Sequence, residues 1–429
     1  MTAKLKVESV FKLFNDARKE GMALLRKGAT KDEIFRTTGV TVGINDVSFE
    51  VNEGEIFVIM GLSGSGKSTL VRTLNGLIRP SSGKIFIAGE DVASCDMKRL
   101  RAIRRREITM VFQHFALFPH KTVGENVAYG LKVKGVGPAE RRKVAIEALA
   151  KVGLEAYADS FPGQLSGGMQ QRVGLARGLA TDPAILLMDE PFGALDPLIR
   201  REMQDELIAL QKELKKTIIF ITHDLNEALL LGNRIAIMKD GAFVQVGTAQ
   251  DIVSNPADDY VRAFVADIDR SRVFTASDIA QDADHIPLKE SVLGALVVMD
   301  KAGVDVAHVV DQDGVLAGMV TREALTAVKP NTPVAQVMEP DAPSVASESY
   351  INEMYATAQN GVLMAVTDSD GKLVGAVEPT AIFGHLTPDT DTENATDVED
   401  DGREGAGPPS DETETKPADI ADAQKGNNL

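Results

Sequence analysis

IFVIMGLSGSGKSTLVRTLNGLI, residues 56–78, decides the fold. Five apolar residues run straight into a glycine loop, and the loop runs into a stretch of helical periodicity. The segment therefore reads as strand, loop, helix. Within it, Gly61 to Ser68 fits G-x-x-x-x-G-K-[ST]. Gly61, Gly64 and Gly66 let successive backbone N–H groups turn inward around phosphate oxygens. Lys67 brings a point charge to the outer phosphates, and the Ser68 hydroxyl is a ligand for Mg²⁺. With Leu62, Ser63, Ser65 and Thr69 they make a phosphate-binding loop at the positive end of a helix dipole. The competing reading is a chance glycine turn before a helix; an apolar strand in front of an intact Gly-Lys-Ser argues against it.

Working outward, INDVSFEV (44–51) and the turn NEGE precede this unit, while AILLMDE (184–190) and TIIFITHD (217–224) follow it. The last two are continuous apolar runs ending in polar residues, the pattern of buried parallel strands that deliver side chains at their C-terminal edge. LIRREMQDELIALQKELKK (198–216) between them is helical in spacing. An α/β domain with a largely parallel sheet is expected over residues 1–268. Asp189 is placed to hold Mg²⁺ through water, and Glu190 to polarise an attacking water as general base. A solvated acidic pair at a strand end is the bland alternative. Gln113, after another apolar run, could complete the metal and water shell, and His223 could contact a γ-phosphate or its hydrolytic water. Taken singly, Gln113 is equally consistent with a structural role, and a lone His at a strand end is more often structural.

The remaining organisation follows from composition. A net charge of −17 argues against a general nucleic-acid binder. Most of that charge sits in residues 388–429, which carry thirteen acidic and three basic side chains and almost nothing apolar, the composition of a disordered tail. One cysteine, Cys95, makes no internal disulfide and fits a reducing compartment. The N-terminus shows no signal-peptide core, and no apolar run approaches the roughly 18–20 residues of a bilayer span, so work at a membrane would require a partner. Residues 16–40 read as a helical insertion with Thr30 capping its second helix. VVDQDGVLAGMVTREAL (309–325) and VTDSDGKLVGAVEPTAI (366–382) align without gaps and define an internal repeat, 270–329 and 330–387. Each copy is expected as a β-α-β-β-α unit, making an α+β module.

The phosphate loop, Gln113, LSGGMQQ (165–171), ILLMDE, GALD (193–196) and THD (222–224) occur in this order. Together they resemble the ABC-type nucleotide-binding domain, a P-loop NTPase, over residues 4–265. The resemblance implies ATP and Mg²⁺ as cofactors and a second copy packed head to tail. Leu165, Ser166, Gly167, Gly168 and Gln170 would then cap the ATP held by that copy's phosphate loop. Ser166 and the N–H groups of Gly167 and Gly168 suit such a second anion nest. The resemblance further makes Asp196 a dimer-coupling aspartate, Phe14 the adenine-stacking aromatic, and HFALFPHKTVGEN (114–126) the region that meets a transmembrane permease. The early insertion, LDPLIRREMQDELIALQ (195–211) and NPADDYVRAFVADID (255–269), with the C-terminal repeat, resemble ATPase subunits of quaternary-amine importers. That implies uptake of glycine betaine or proline betaine from a substrate-binding protein, at the cytoplasmic face of the membrane. An importer for another solute such as an amino acid, and a soluble ATPase acting on nucleic acid or ribosomes, are the alternatives. The repeat pair resembles tandem CBS domains, with Ala324 and Ala381 where adenosyl-binding copies carry a ribose-binding aspartate.

Overall fold

In the computed structural model, residues 3–113, 116–359 and 361–386 are described. The acidic segment 388–429, and His114 and Phe115 of the expected permease-facing stretch, lie outside them. Strands β1 (Ala3–Phe14) and β2 (Thr41–Asn52) pair antiparallel, with Phe14 opposite Thr41. The insertion therefore leaves and rejoins the sheet at one point. Its helices are Arg18–Arg26 and Lys31–Thr38. The Thr30 hydroxyl accepts from the Glu33 N–H (3.3 Å) and the Glu33 carboxylate accepts from the Thr30 N–H (2.8 Å), a reciprocal cap. Ile34 of the second helix is buried against Leu13, Val40 and Val42.

Strand β3 (Ile56–Met60) is buried at every residue and leads into the glycine loop. Strands β4 (Ser82–Ile87) and β5 (Glu90–Asp91) complete a sheet of order β2-β1-β4-β5. A second sheet adds β6 (Ile108–Phe112), β7 (Ile185–Asp189), β8 (Thr217–Thr222), β9 (Arg234–Lys239) and β10 (Ala242–Gly247), in the order β10-β9-β3-β8-β7-β6. All its pairs are parallel except β10 with β9. One face of this sheet packs on the first sheet and the helix Lys67–Leu74, the other on the helices Gly167–Ala180, Pro197–Leu214 and Leu225–Leu231, which is why β3 and β8 are apolar without alternation. The C-terminal ends of β3, β6, β7 and β8 carry the glycine loop, Gln113, Glu190 and His223 in turn.

The repeats have strands β11 (His285–Pro287), β12 (Val306–Val310) and β13 (Leu316–Thr321), then β14 (Ser344–Ala346), β15 (Met364–Thr367) and β16 (Leu373–Val377). Both run in the order β-α-β-β-α. Asp311 and Asp368 do the same work in each hairpin. The Asp311 carboxylate accepts from the N–H groups of Asp313 (2.8 Å) and Val315 (3.0 Å), and Asp368 from Asp370 (2.9 Å) and Lys372 (2.9 Å). The two hairpins meet through Leu316 N–H to Gly371 O and Leu373 N–H to Gly314 O, both 3.0 Å.

The repeats differ in what they pack on. The first has a core of its own, including Ile286, Ala295, Met299, Val309 and Leu325. The core of the second, with Ile351, Met354, Met364, Val366 and Val377, is continuous with that of the nucleotide-binding region through Val273, Phe274, Ala276 and Ile279. Residues 274–281 fall in the first repeat by sequence alignment but hydrogen-bond to the second. Ala276 N–H reaches Ser349 O (2.8 Å), and Gln281 N–H reaches Ala376 O (2.9 Å).

Candidate functional site

The glycine loop is shaped by contacts that admit no side chain. A Cβ on Gly61 would lie 2.2 Å from the Met238 carbonyl oxygen, and one on Gly66 2.4 Å from that of Gly43; their φ angles are 151° and 112°. The helix Lys67–Leu74 starts here, so its first N–H groups face the loop. Lys67 is only 5% exposed, and its ammonium donates to the carbonyls of Gly61 (2.6 Å) and Leu62 (3.0 Å). Burial lowers its pKa, against the opposing pull of Glu190 and Asp189. The Ser65 hydroxyl is buried without a protein partner. The β9–β10 turn braces the loop from behind, with Gly241 N–H donating to Ser65 O (2.8 Å).

The side chains from β6, β7 and β8 converge on one carboxylate. Glu190 Oε2 lies 3.1 Å from His223 Nδ1 and 3.5 Å from Gln113 Nε2. Glu190 is held at φ 46°, a left-handed conformation costly for a side chain of its size. Its N–H donates to Ile221 O (2.9 Å), which ties it to β8 beside His223. Asp189 Oδ1 accepts from Ser68 Oγ at 3.5 Å. Burial raises the Asp189 pKa; Arg72 opposes this and Glu190 adds to it.

Phe14 is separated from the loop by the insertion in sequence but not in space. Its ring abuts Gly43, against which the Thr69 methyl group also packs, and the Lys12 ammonium sits 5.0 Å from the ring centre. The second glycine stretch is built differently. Ser166 caps the helix Gly167–Ala180, its hydroxyl accepting from the Met169 N–H (3.3 Å), and Gln170 Nε2 donates to Leu165 O (3.2 Å). Leu165 is buried, whereas Ser166 and Gly167 are exposed. Gly168 is buried where a Cβ would meet the Ile199 side chain at 2.5 Å. No hydrogen bond among the described residues joins residues 165–170 to 61–69. Asp196 is exposed and caps the helix Pro197–Leu214, accepting from the Ile199 N–H (3.1 Å).

Sequence reasoning passes over Glu227, Gln204 and Tyr260. Glu227 and Gln204 meet across 23 residues of chain, which no local pattern reveals. Tyr260 is hydrogen-bonded to the backbone of Leu62, and its ring lies 4.5 Å from the Lys239 ammonium. Its one sequence signal is an aromatic at helical spacing from Phe264.

A glycine loop and a Glu190-centred cluster with Gln113 and His223 at the edge of one parallel sheet, together with a second glycine stretch exposed at a helix N-terminus, mark an ABC-type ATPase. The family model described as ABC transporter matches residues 44–193, and the chain belongs to this family of transport ATP-binding proteins, which bind and hydrolyse ATP. It is similar to the glycine betaine transport ATP-binding protein OpuAA of Bacillus subtilis, 46% identical over 394 residues, 91% of this chain and 94% of that one. It is also similar to the glycine betaine/proline betaine transport system ATP-binding protein ProV of Escherichia coli, 44% identical over 88% of this chain and 96% of that one. The trimethylamine N-oxide transport system ATP-binding protein TmoW of Pelagibacter ubique is 50% identical over 65% of this chain and 81% of its own length.

Proposed function

We propose that this chain energises import of a quaternary-amine osmoprotectant, glycine betaine or proline betaine, as a peripheral ATPase subunit on the cytoplasmic side of a separate permease. The phosphate loop of one copy and Leu165–Gln170 of a second enclose the nucleotide between them. The observation that carries this reading is the pairing of a phosphate loop whose Ser65 and Lys67 are buried by its own chain with an exposed nest at Ser166 and Gly167 that finds no phosphate loop in its own chain. ATP then favours the closed pair by contributing phosphate contacts to both faces, and loss of the γ-phosphate lets it open. Asp196, exposed beside the second nest, couples the two sites, and Phe14 offers its ring to the adenine.

Glu190 takes the proton of the attacking water, and His223, sharing that carboxylate, holds the geometry at the γ-phosphate. Among the described residues no group of three His, Cys, Asp or Glu side chains could hold a metal ion alone. A hydroxyl and a carboxylate 3.5 Å apart instead suit Mg²⁺ shared with phosphates and water, with Ser68 and Asp189 as holders and Gln113 beside them. When bound, Mg²⁺ offsets charge on the transferring phosphoryl group.

No helix among the described residues is long and apolar enough to cross a membrane. A groove of about 600 Å³ lined by Met110, Phe112, Phe118, Tyr129 and Val133, with Arg104 and Arg105 at its rim, suits a permease helix. The C-terminal repeats serve as a CBS-like regulatory module, and a substrate-binding protein delivers the solute outside. Reconstitution with the permease in vesicles tests the whole reading. ATP should drive uptake of labelled glycine betaine, and Glu190→Gln should lower turnover about 10³-fold while retaining ATP. Excess trimethylamine N-oxide as competitor separates the betaine and amine-oxide branches. Undiminished turnover in Glu190→Gln refutes the catalytic assignment.

A further inference from the structure

Behind the Glu190–His223 contact lies a buried polar cluster that the mechanism above does not use. Glu227, in the first turn of the helix Leu225–Leu231, is 5% exposed. Its two carboxylate oxygens serve different elements. Oε2 accepts from Thr222 Oγ1 at 2.6 Å, and Thr222 is the residue before His223. Oε1 accepts from Gln204 Nε2 at 3.1 Å, and Gln204 lies on the helix that Asp196 caps. Arg200 of that helix stands 3.9 Å from Glu227 Oε1 and 3.7 Å from Asp224 Oδ2, and donates to Leu195 O at 3.2 Å, next to Asp196. Thr222 Oγ1 in turn accepts from the Asp224 N–H (3.0 Å), closing the loop around His223. A buried carboxylate is costly, and here burial raises its pKa, with the bond from Thr222 opposing. Both oxygens are spent on two elements that carry proposed functional residues.

We propose that Glu227 is a positioning residue that clamps the strand end bearing His223 to the helix beginning at Asp196. The inference rests on the roles given above to His223 and Asp196. A shift of Asp196 when two copies meet would reach His223 through Gln204 and Arg200, so that hydrolysis is enabled only in the assembled pair.

The test uses the full chain with its permease in vesicles, measuring kcat and KM for ATP by radiolabelled phosphate release. Glu227→Ala should lower kcat about 30-fold with KM within about threefold, because the γ-phosphate geometry and not nucleotide capture is lost. Glu227→Gln keeps an acceptor for Thr222 and, with the Gln204 amide reversed, a bond to the helix; it should recover kcat to within about fivefold of the parent. In a His223→Ala background, Glu227→Ala should add less than about twofold. An equal loss in both backgrounds, unaltered kcat in Glu227→Ala, or no recovery with Gln overturns the proposal. Should Glu227→Ala fail to fold, Thr222→Val replaces the hydroxyl by a methyl group, breaking its bonds to Glu227 and to the Asp224 N–H; it should cost about fivefold in kcat, and an unchanged kcat overturns the proposal. Near-normal turnover in His223→Ala alone instead overturns the underlying role of His223.

Discussion

Two glycine stretches in this chain lie at helix N-termini, and they differ in how far the chain itself supports them. Residues 61–69 are finished by their own chain: Lys67 is buried on the loop carbonyls and the β9–β10 turn braces the back. Residues 165–170 are finished only at the foot, where Ser166 caps its helix, while the face with Ser166 and Gly167 stands in solvent. The first loop is held in shape from within a single chain. Local structure thus separates the two stretches even though the sequence writes both in glycine.

Ser166→Asp should break the comparison most visibly. Aspartate caps a helix as well as serine does, so the melting temperature and the ATP affinity of the isolated chain should hold, while charge repulsion at the second nest lowers turnover about 10³-fold. Parallel calorimetry and phosphate release check it. Lys67→Ala should act in the single chain, weakening ATP binding about 100-fold by loss of charge-assisted bonds, measurable with a fluorescent nucleotide. Asp189→Asn sharpens the contrast through pH. Burial raises the Asp189 pKa, so the folded chain holds that proton more tightly than the unfolded one. Its stabilising contribution is full below the ordinary aspartate range and is lost as pH rises through the raised value. Nucleotide-free Asp189→Asn should therefore melt a few degrees above the parent at neutral pH, the gap closing toward about pH 4. The smallest effect belongs to Thr30→Ala, about 1 kcal/mol in the insertion with no change in turnover, read from denaturant unfolding.

The parallel sheet and the loops at its C-terminal edge were legible because each is a contiguous word: an apolar run, a glycine turn, an acidic ending. The cap at Thr30 was legible for the same reason, though not the return bond from Glu33. Glu227 was not, because its partners Thr222 and Gln204 come from a strand end and a separate helix, and burial is a property of the assembled core. The nearness of Phe14 to Thr69 was hidden in the same way. Only the pairing of Phe14 with Thr41 shows that the insertion loops out without displacing its ends. The crossing of residues 274–281 onto the second repeat escapes an alignment of repeats, since alignment assigns each segment to its nearest neighbour in the chain.

That crossing has a thermodynamic sequel. Val273, Phe274, Ala276 and Ile279 bind the second repeat to the nucleotide-binding region through one apolar interior, whereas the first repeat keeps an interior of its own. Heated slowly, the chain should melt in two endotherms, and tight ATP binding should lift the one that includes the second repeat more than the other. Two copies of one repeat would then answer the same nucleotide unequally.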